Sequence, residues 1–226
     1  MKKFIFIALF SLSLAPAFSQ QSEVRKIGTF RGVKAGEAID VYLKKGDKEE
    51  VKVEVTGTAL SNVLTEISGT SLRIHMKDGN YKNRDVKVYV TYVNLENISA
   101  SSASNIFSEN VITTNKMEVG ASSAATIEIS LDVQSLIVDV SSAGDVTLEG
   151  RTKTLKVEAS SAGDIDAYNL IAENVIAAAG SAGSIKLTVT KELQAEASSA
   201  GSIRYRGSPT KTNTDSSSGG SVKKSN

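Results

Sequence analysis

Apolar and polar residues alternate in short runs through the second half of the chain, around a recurring Ser-Ser-Ala motif. Around the copy at 141–143, the apolar residues Leu136, Val138 and Val140 precede the motif at every second position, and Val146 follows it. A period of two is typical of a strand with one buried face. Each motif is therefore predicted to separate two strands whose alternate side chains face a shared core.

The motif recurs at regular steps, which makes the second half of the chain an internal repeat. The third residues of successive copies are 18 to 21 positions apart: Ala103, Ala124, Ala143, Ala162, Ala182, Ala200 and Ser218. One copy cannot bury its apolar face alone, whereas copies stacked in register bury it together. The predicted fold is an all-β, right-handed parallel β-helix (β-solenoid) with turns of about 18–21 residues and an irregular β N-terminal cap, because parallel crossovers are almost always right-handed.

The residues after each alanine are predicted to form a corner between strands. Glycine comes next in four copies, where a sharp bend is expected to require positive φ, a conformation that glycine adopts freely: Gly144, Gly163, Gly183 and Gly201. A short polar residue then follows, and Asp145 and Asp164 are expected to satisfy exposed amides of the corner. Ser104 and Ala125 replace glycine in the two earliest copies, so the glycine argument does not extend to those bends.

The chain divides into four predicted segments. Residues 1–19 are a signal peptide, residues 20–98 an N-terminal β cap with the first irregular turns, residues 99–210 the repeated turns, and residues 211–226 a polar tail. Strands are predicted within the cap at Ile39–Leu43, Val51–Val55, Leu72–Met76 and Val86–Val90. A short helix is expected over Ala59–Ile67. The tail is expected to begin as a loop, and its Ser-rich end resembles one more turn that reaches Val222.

The first nineteen residues have the layout of an export signal. Two lysines precede an apolar run from Phe4 to Leu14, which is too short to span a bilayer, and the small residues Ala17 and Ser19 predict cleavage after Ser19. No later segment is apolar enough for a membrane span. The protein is therefore expected to be exported, to the periplasm or to the outer cell surface.

Composition narrows the classes of function. The chain has no cysteine, which excludes disulfides, thiol catalysis and thiolate metal sites. It has 26 basic and 25 acidic residues, so loss of the two signal lysines leaves 24 against 25, a net charge of about −1. The charges are dispersed along the sequence, whereas a nucleic-acid-binding protein needs a basic face. No nucleic-acid partner is expected.

The sequence offers little catalytic chemistry. The single histidine, His75, lies within a predicted strand and is expected to face solvent, and the serine pairs are interpreted as corner residues because no partner base accompanies them. Asp145 and Asp164 occupy equivalent corners one turn apart, about 5 Å from each other in a stacked fold. Two interpretations stay open for this pair: a shared cation, or simple turn residues. No catalytic residue, cofactor or metal site is predicted.

Aromatic side chains are candidate platforms for a glycan. They are scattered along the sequence, and ordinary packing is the alternative for each of Tyr81, Tyr89, Tyr92, Tyr168 and Tyr205.

Three features resemble a known family, described as "Putative auto-transporter adhesin, head GIN domain" and found in secreted proteins of Bacteroidetes-type bacteria. They are the repeated Ser-Ala-Gly-Asp/Ser-Ile/Val corners, the opening segment from Phe30 to Val41, and the segment Ile203–Pro209 with the later Ser-Gly-Gly-Ser-Val. The resemblance covers nearly all of the chain after the signal. It implies a β-helical domain exported to the envelope, and adhesion as its role.

The predicted function is that of an exported, non-enzymatic β-solenoid that binds a partner at the cell envelope in an adhesin-like manner. The partner is expected to be a surface glycan, another envelope protein or a second copy of the chain. Two alternatives stay open: a periplasmic structural or stress-related protein, and a polysaccharide-active enzyme on a β-helix that uses carboxylates such as Asp145 and Asp164.

Overall fold

The computed structural model describes residues 20–225, so the predicted signal peptide lies outside the described residues. These residues form strands joined by short corners and one 3₁₀ turn, η1. In chain order the elements are β1 (Gln21–Arg25), β2 (Gly32–Ala35), β3 (Asp40–Lys45), β4 (Glu50–Thr56), η1 (Leu60–Asn62), β5 (Val63–Ser68), β6 (Ser71–Met76), β7 (Asp85–Tyr92), β8 (Asn97–Ala100), β9 (Asn105–Ser108), β10 (Ile112–Ala121), β11 (Thr126–Val140), β12 (Asp145–Ala159), β13 (Asp164–Ala179), β14 (Ser184–Ala197), β15 (Ser202–Arg206), β16 (Lys211–Ser216) and β17 (Ser221–Lys224).

The second half of the chain is a parallel β-solenoid, as the repeat predicts. Strands one turn apart pair in register, so that Ile127 of β11 lies opposite Val146 of β12, which lies opposite Ile165 of β13. The same column continues through Ile185 and Ile203. The stack has about 7 turns, and its right-handed coiling stays a prediction. Equivalent residues of successive turns therefore form columns that run along the solenoid axis.

The long strands bend around the core, and each bend is visible as a change of phase in burial. In β11 the buried residues follow a period of two up to Val133, and the next buried residue is Leu136 instead of position 135. Strand β13 changes phase twice, between Ala167 and Leu170 and between Ala172 and Val175. Each turn therefore has one outer face formed by the segment after the corner and another formed by the segment before it.

The corners are two-residue turns whose central residues are the second serine and the alanine. Ser142 and Ala143 have φ values of 51° and 58°, and the Gly144 N–H donates to the Ser141 carbonyl oxygen at 2.9 Å. Positive φ at both central residues with this hydrogen bond defines a type I′ turn. The expectation that the positive φ falls on Gly144, Gly163, Gly183 and Gly201 is therefore wrong, because it falls on the two residues before each of them.

Glycine is required after the alanine for a different reason, namely close approach of the neighbouring turn. A Cβ on Gly163 would lie 2.7 Å from the Val140 carbonyl oxygen, and one on Gly183 would overlap the carbonyl of Ala159. The two early corners without glycine close in the same way: the N–H groups of Ser104 and Ala125 donate to the carbonyl three residues before them at 3.2 Å.

Hydrogen bonds also join each corner to the next. The Ala143 N–H donates to the Ser161 carbonyl of the following corner at 3.1 Å, and the Ser141 N–H donates to the Ala121 carbonyl of the preceding turn at 3.0 Å. The same pattern repeats from the corner at 101–104 to the corner at 217–220. The corners are thus as firmly paired along the axis as the strands are.

The N-terminal part forms an irregular cap, as predicted. Strands β2 and β3 make the first turn, and β8 and β9 stack on one side of it. Strands β6 and β7 stack on its other side, and antiparallel partners β1, β4 and β5 close this end. The helix expected over Ala59–Ile67 is instead the 3₁₀ turn Leu60–Asn62 followed by strand β5.

The tail corrects a third expectation. Its start, Lys211–Ser216, is strand β16, which pairs with β14, rather than a loop. The corner at 217–220 and strand β17 then complete one more turn through pairing with β15. The inward positions of this last turn are polar: Thr212, Thr214 and Ser216 lie opposite the buried Leu193, Ala195 and Ala197.

Candidate functional site

The two aspartates named from the sequence are neighbours, as their equivalent corners imply. Asp145 lies opposite Asp164 in adjacent strands. The Lys186 ammonium lies 3.3 Å from an Asp166 carboxylate oxygen and 4.0 Å from one of Asp164. Partial desolvation by the flanking strands, followed by the negative charges of Asp164 and Glu128, raises the pKa of Asp145. A weaker acid at Asp145 follows from this crowding.

Lys186 supplies positive charge beside these carboxylates. Among residues 20–225 no group of three or more histidine, aspartate or glutamate side chains is arranged to hold a metal ion. The pair itself is held through the register of β12 and β13, and both residues directly follow a corner. This position agrees with the interpretation of both aspartates as turn residues. A shared cation at Asp145 and Asp164 stays a prediction.

His75 was expected to face solvent, but its side chain is largely covered. Its side chain is 15% exposed; Nδ1 lies 3.0 Å from the Met76 carbonyl oxygen, and Nε2 lies 3.5 Å from a Glu66 carboxylate oxygen. Because a carbonyl only accepts hydrogen bonds, Nδ1 carries the proton. The imidazole thus has a structural position between strands β5 and β6.

The tyrosines do not form an open platform within the described part of the chain. Tyr92 is buried, and its burial raises the pKa of the phenol to about 12. Tyr205 packs partly against the core, and the Arg84 guanidinium covers the ring of Tyr81 at 5.6 Å. Ordinary packing accounts for these three.

An aromatic column on the face after the corner was not foreseen. The ring of Tyr42 stacks between Tyr89 and Phe107, with centroid distances of 5.1 and 5.4 Å, and Lys52 lies over Tyr89 at 5.5 Å. Strands β7, β3 and β9 place these residues in register. Because the ring faces meet one another, this column stabilises the first turns rather than presenting a flat surface to a sugar.

A shallow groove of about 450 Å³ runs along the face before the corner. One wall contains Ile137, Lys156 and Ile176, which stand in one column. Thr154 and Asn174, which lie opposite each other in β12 and β13, also line the groove. Ile176 is 52% exposed, so this apolar groove leaves hydrophobic surface available for contact.

Positive charge is concentrated in the last turns of the face after the corner, although the charges are dispersed along the sequence. Lys186, Arg204 and Lys223 lie directly opposite one another in β14, β15 and β17, and Arg206 points outward two residues after Arg204. We call these four residues the terminal basic patch. Within residues 20–225, Lys186 alone among them has a carboxylate partner.

Hydroxyl groups accompany the terminal basic patch. Ser184, Ser202 and Ser221 form the next outward column, two residues before the cations. The arrangement repeats a short signal that the sequence contains at 184–186, 202–204 and 221–223, namely serine, an apolar residue and a base. Because the three copies of this signal are one repeat length apart, they predict that the three cations lie opposite one another.

Acidic residues stand in columns on the face before the corner. There Asp139 lies opposite Glu158, and Glu196 lies opposite Asp215, and all four are exposed. On the face after the corner, Asp164 and Asp166 occupy the turn before the basic patch. The expectation of dispersed charge therefore fails for the last turns of that face, although the net charge of the chain is close to zero.

The corners, the columns and the polar outer faces define a parallel β-solenoid that presents repeated side chains to solvent. The chain belongs to the family described as "Putative auto-transporter adhesin, head GIN domain", whose model matches residues 29–209. This confirms the resemblance seen in the sequence. Comparison with curated proteins gives no match. Within residues 20–225 no helix has the length and apolar character needed to cross a bilayer.

Several solved structures have the same fold. A putative adhesin from Bacteroides fragilis has a TM-score of 0.85 at 24% identity, over 92% of this chain and 98% of that one. A putative adhesin from Parabacteroides distasonis has a TM-score of 0.71 at 20% identity, over 92% and 97% of the two chains. A protein described as a putative lipid binding protein, from the same species, has a TM-score of 0.70 at 18% identity over the same shares.

Proposed function

We propose that the protein, after loss of its signal peptide, is an adhesin-like binding protein of the cell envelope that acts without catalysis. Its family and the two similar structures described as adhesins support this role. The partner would be a surface glycan or another envelope protein. The third similar structure is described as a lipid binding protein, and the apolar groove around Ile176 would offer that kind of ligand a contact here.

The observation that carries the proposal is the rigid placement of outward side chains in columns. Each corner is hydrogen-bonded both within itself and to the corners of adjacent turns, as the bonds of Ser141, Ala143 and Gly144 show. The backbone of such a frame loses little further conformational entropy when a partner binds. A repeating surface of this kind suits recognition of a repeating or extended partner.

The absence of catalysis is part of the proposal and is supported by the surroundings of the carboxylate pair Asp145 and Asp164. Asp164 is close to the Lys186 ammonium, and Asp145 directly follows a corner. Polysaccharide-cleaving activity that disappears in Asp145→Ala or Asp164→Ala, with the fold retained, would instead establish the enzymatic alternative.

The proposed location on the outer cell surface is tested by cysteine labelling. Because the chain has no cysteine, a single Asn80→Cys change in an exposed turn reports access to a membrane-impermeant maleimide. We expect labelling on intact cells of the native host, to the same extent as on cells whose outer membrane has been opened. As a matched control, Ala179→Cys lies in the core and should react only after denaturation.

Labelling of Asn80→Cys that requires opening of the outer membrane would contradict surface adhesion. That outcome would establish a periplasmic protein and favour the structural or stress-related role.

A further inference from the structure

The terminal basic patch places like charges directly opposite one another. Lys186, Arg204 and Lys223 occupy one column across three neighbouring turns, which are separated by about 4.8 Å each. Like charges at opposed positions of a sheet destabilise it. No carboxylate of residues 20–225 pairs with Arg204 or Lys223, so an external anion would remove a repulsion that the fold otherwise retains.

Two contacts hold the edges of the terminal basic patch in place before any ligand arrives. The Arg206 guanidinium lies over the ring of Tyr168, 3.9 Å from its centroid, and the Tyr168 hydroxyl is 2.8 Å from the Ser225 hydroxyl. At the other edge, Asp166 fixes Lys186 at 3.3 Å. Arg204, in the middle of the column, and Lys223, at its end, are exposed.

We infer that the terminal basic patch binds an acidic polysaccharide through successive carboxylate or sulfate groups. This inference rests on the proposed function and names its ligand class and its site. Anionic groups would meet Arg204, Arg206 and Lys223, and sugar hydroxyls would meet the hydroxyl column Ser184, Ser202 and Ser221, which runs beside the cations at the same spacing. A linear polymer along the solenoid axis matches two parallel columns of donors.

The neighbouring turns limit the length of the site. Asp164 and Asp166 lie in the same two columns, one turn before Ser184 and Lys186, so the favourable surface begins at Lys186. From Lys186 to Lys223 the column spans two steps, about 10 Å. The site therefore accommodates a short stretch of a polymer rather than a chain that lies along the whole molecule.

The features of the patch favour a glycan over a nucleic acid. Single-stranded nucleic acids bind through aromatic rings on which bases stack, together with basic grooves. The aromatic ring at this patch, Tyr168, is covered by Arg206. Serine hydroxyls in a column suit the hydroxyl groups of sugars instead.

The test uses the protein from Gln20 onward and measures its affinity by calorimetry for polygalacturonate and chondroitin sulfate, with neutral dextran as the reference. We expect binding to the acidic polymers that weakens as salt is raised, because exposed ion pairs are screened. The double variant Arg204→Ser/Lys223→Ser should bind about tenfold more weakly. The matched control Lys48→Ser/Lys82→Ser removes two exposed lysines from loops of the N-terminal cap, away from the last turns, and should bind like the wild type.

Four results would overturn the inference. The first two are lack of binding to every acidic polymer and equal weakening in both double variants. The others are binding to dextran as tight as to the acidic polymers, and equal or tighter binding to single-stranded DNA of matched charge. None of these results bears on the proposed function, which the labelling of Asn80→Cys tests separately. Failure of the inference and failure of the proposed function can therefore be told apart.

Discussion

The Ser-Ala pair at each corner has an unusual backbone for residues with side chains. Ser161 and Ala162 have φ values of 48° and 60°, a region that glycine enters freely and other residues enter at some cost. The cost is offset because the turn aligns hydrogen bonds in two directions: the Gly163 N–H donates to Ser160 within the corner, and the Ala162 N–H donates to Ser181 of the next. Small side chains at both positions keep the exposed edge of the stack free of crowding.

Gly183→Ala tests the close approach of neighbouring turns. The new Cβ would overlap the Ala159 carbonyl, so one turn must move away from the other, and we expect a loss of about 1–3 kcal/mol in the free energy of unfolding. Gly180→Ser is the matched control, because its nearest neighbour would be the Ser198 hydroxyl oxygen at 3.6 Å and other corners have serine there. Chemical denaturation measures both variants. Equal stabilities would contradict the explanation.

Burial at single positions was predictable from the sequence, whereas backbone conformation was not. Leu136, Val138 and Val140 are buried as the period of two requires. The same pattern does not show which of the four corner residues has a positive φ. Glycine is the residue most often found in that conformation, so the sequence favours the glycine beside the bend. Gly163 is needed at its place in the repeat because the neighbouring turn leaves no space for a Cβ, which is a property of two turns in contact rather than of one residue.

At the scale of elements, the repeat determines the register of β10 to β17, because each corner fixes where the next strand begins. The cap lacks that signal. Its first corner contains Glu37 and Ala38, which have φ values of 62° and 53° and bond to the next corner through the Ala38 N–H and the Ser102 carbonyl, yet no Ser-Ser-Ala marks it. Strands β6 and β7 also stack beneath β2 and β3 although they follow them in the chain. Sequence order therefore could not predict the spatial order of the cap.

Ala179→Leu tests the narrow core of the later strands. Ala177, Ala179, Ala195 and Ala197 are buried and face one another across β13 and β14. Extra methylene groups at Ala179 should force the strands apart, and we expect a cost of about 1–3 kcal/mol, visible as a lower Tm. Ala178→Leu on the same strand points outward and should change the Tm little. A Tm for Ala179→Leu equal to that of Ala178→Leu would contradict the assigned core.

At the scale of the whole molecule, the candidate site exists only because the turns stack. Lys186, Arg204 and Lys223 are separated by 18 and 19 positions in the sequence, where acidic residues intervene and the charges look mixed. Folding collects them on one face and collects Asp139 and Glu158 on the other. The net charge of the chain therefore gave no indication of a basic surface.

The last turn should act as a cap, and truncation tests this. A chain that ends at Thr210 lacks β16 and β17, which exposes the edges of β14 and β15 and the buried Leu193 and Ile203. Unpaired edges and bare ends of a solenoid favour association. We expect the Tm to fall by roughly 4–8 °C, equivalent to about 2 kcal/mol, and light scattering to detect oligomers. The control ends at Ser225 and keeps every strand, so it should remain as stable as the full chain; a monomeric, equally stable truncation at Thr210 would show that the preceding turns need no cap.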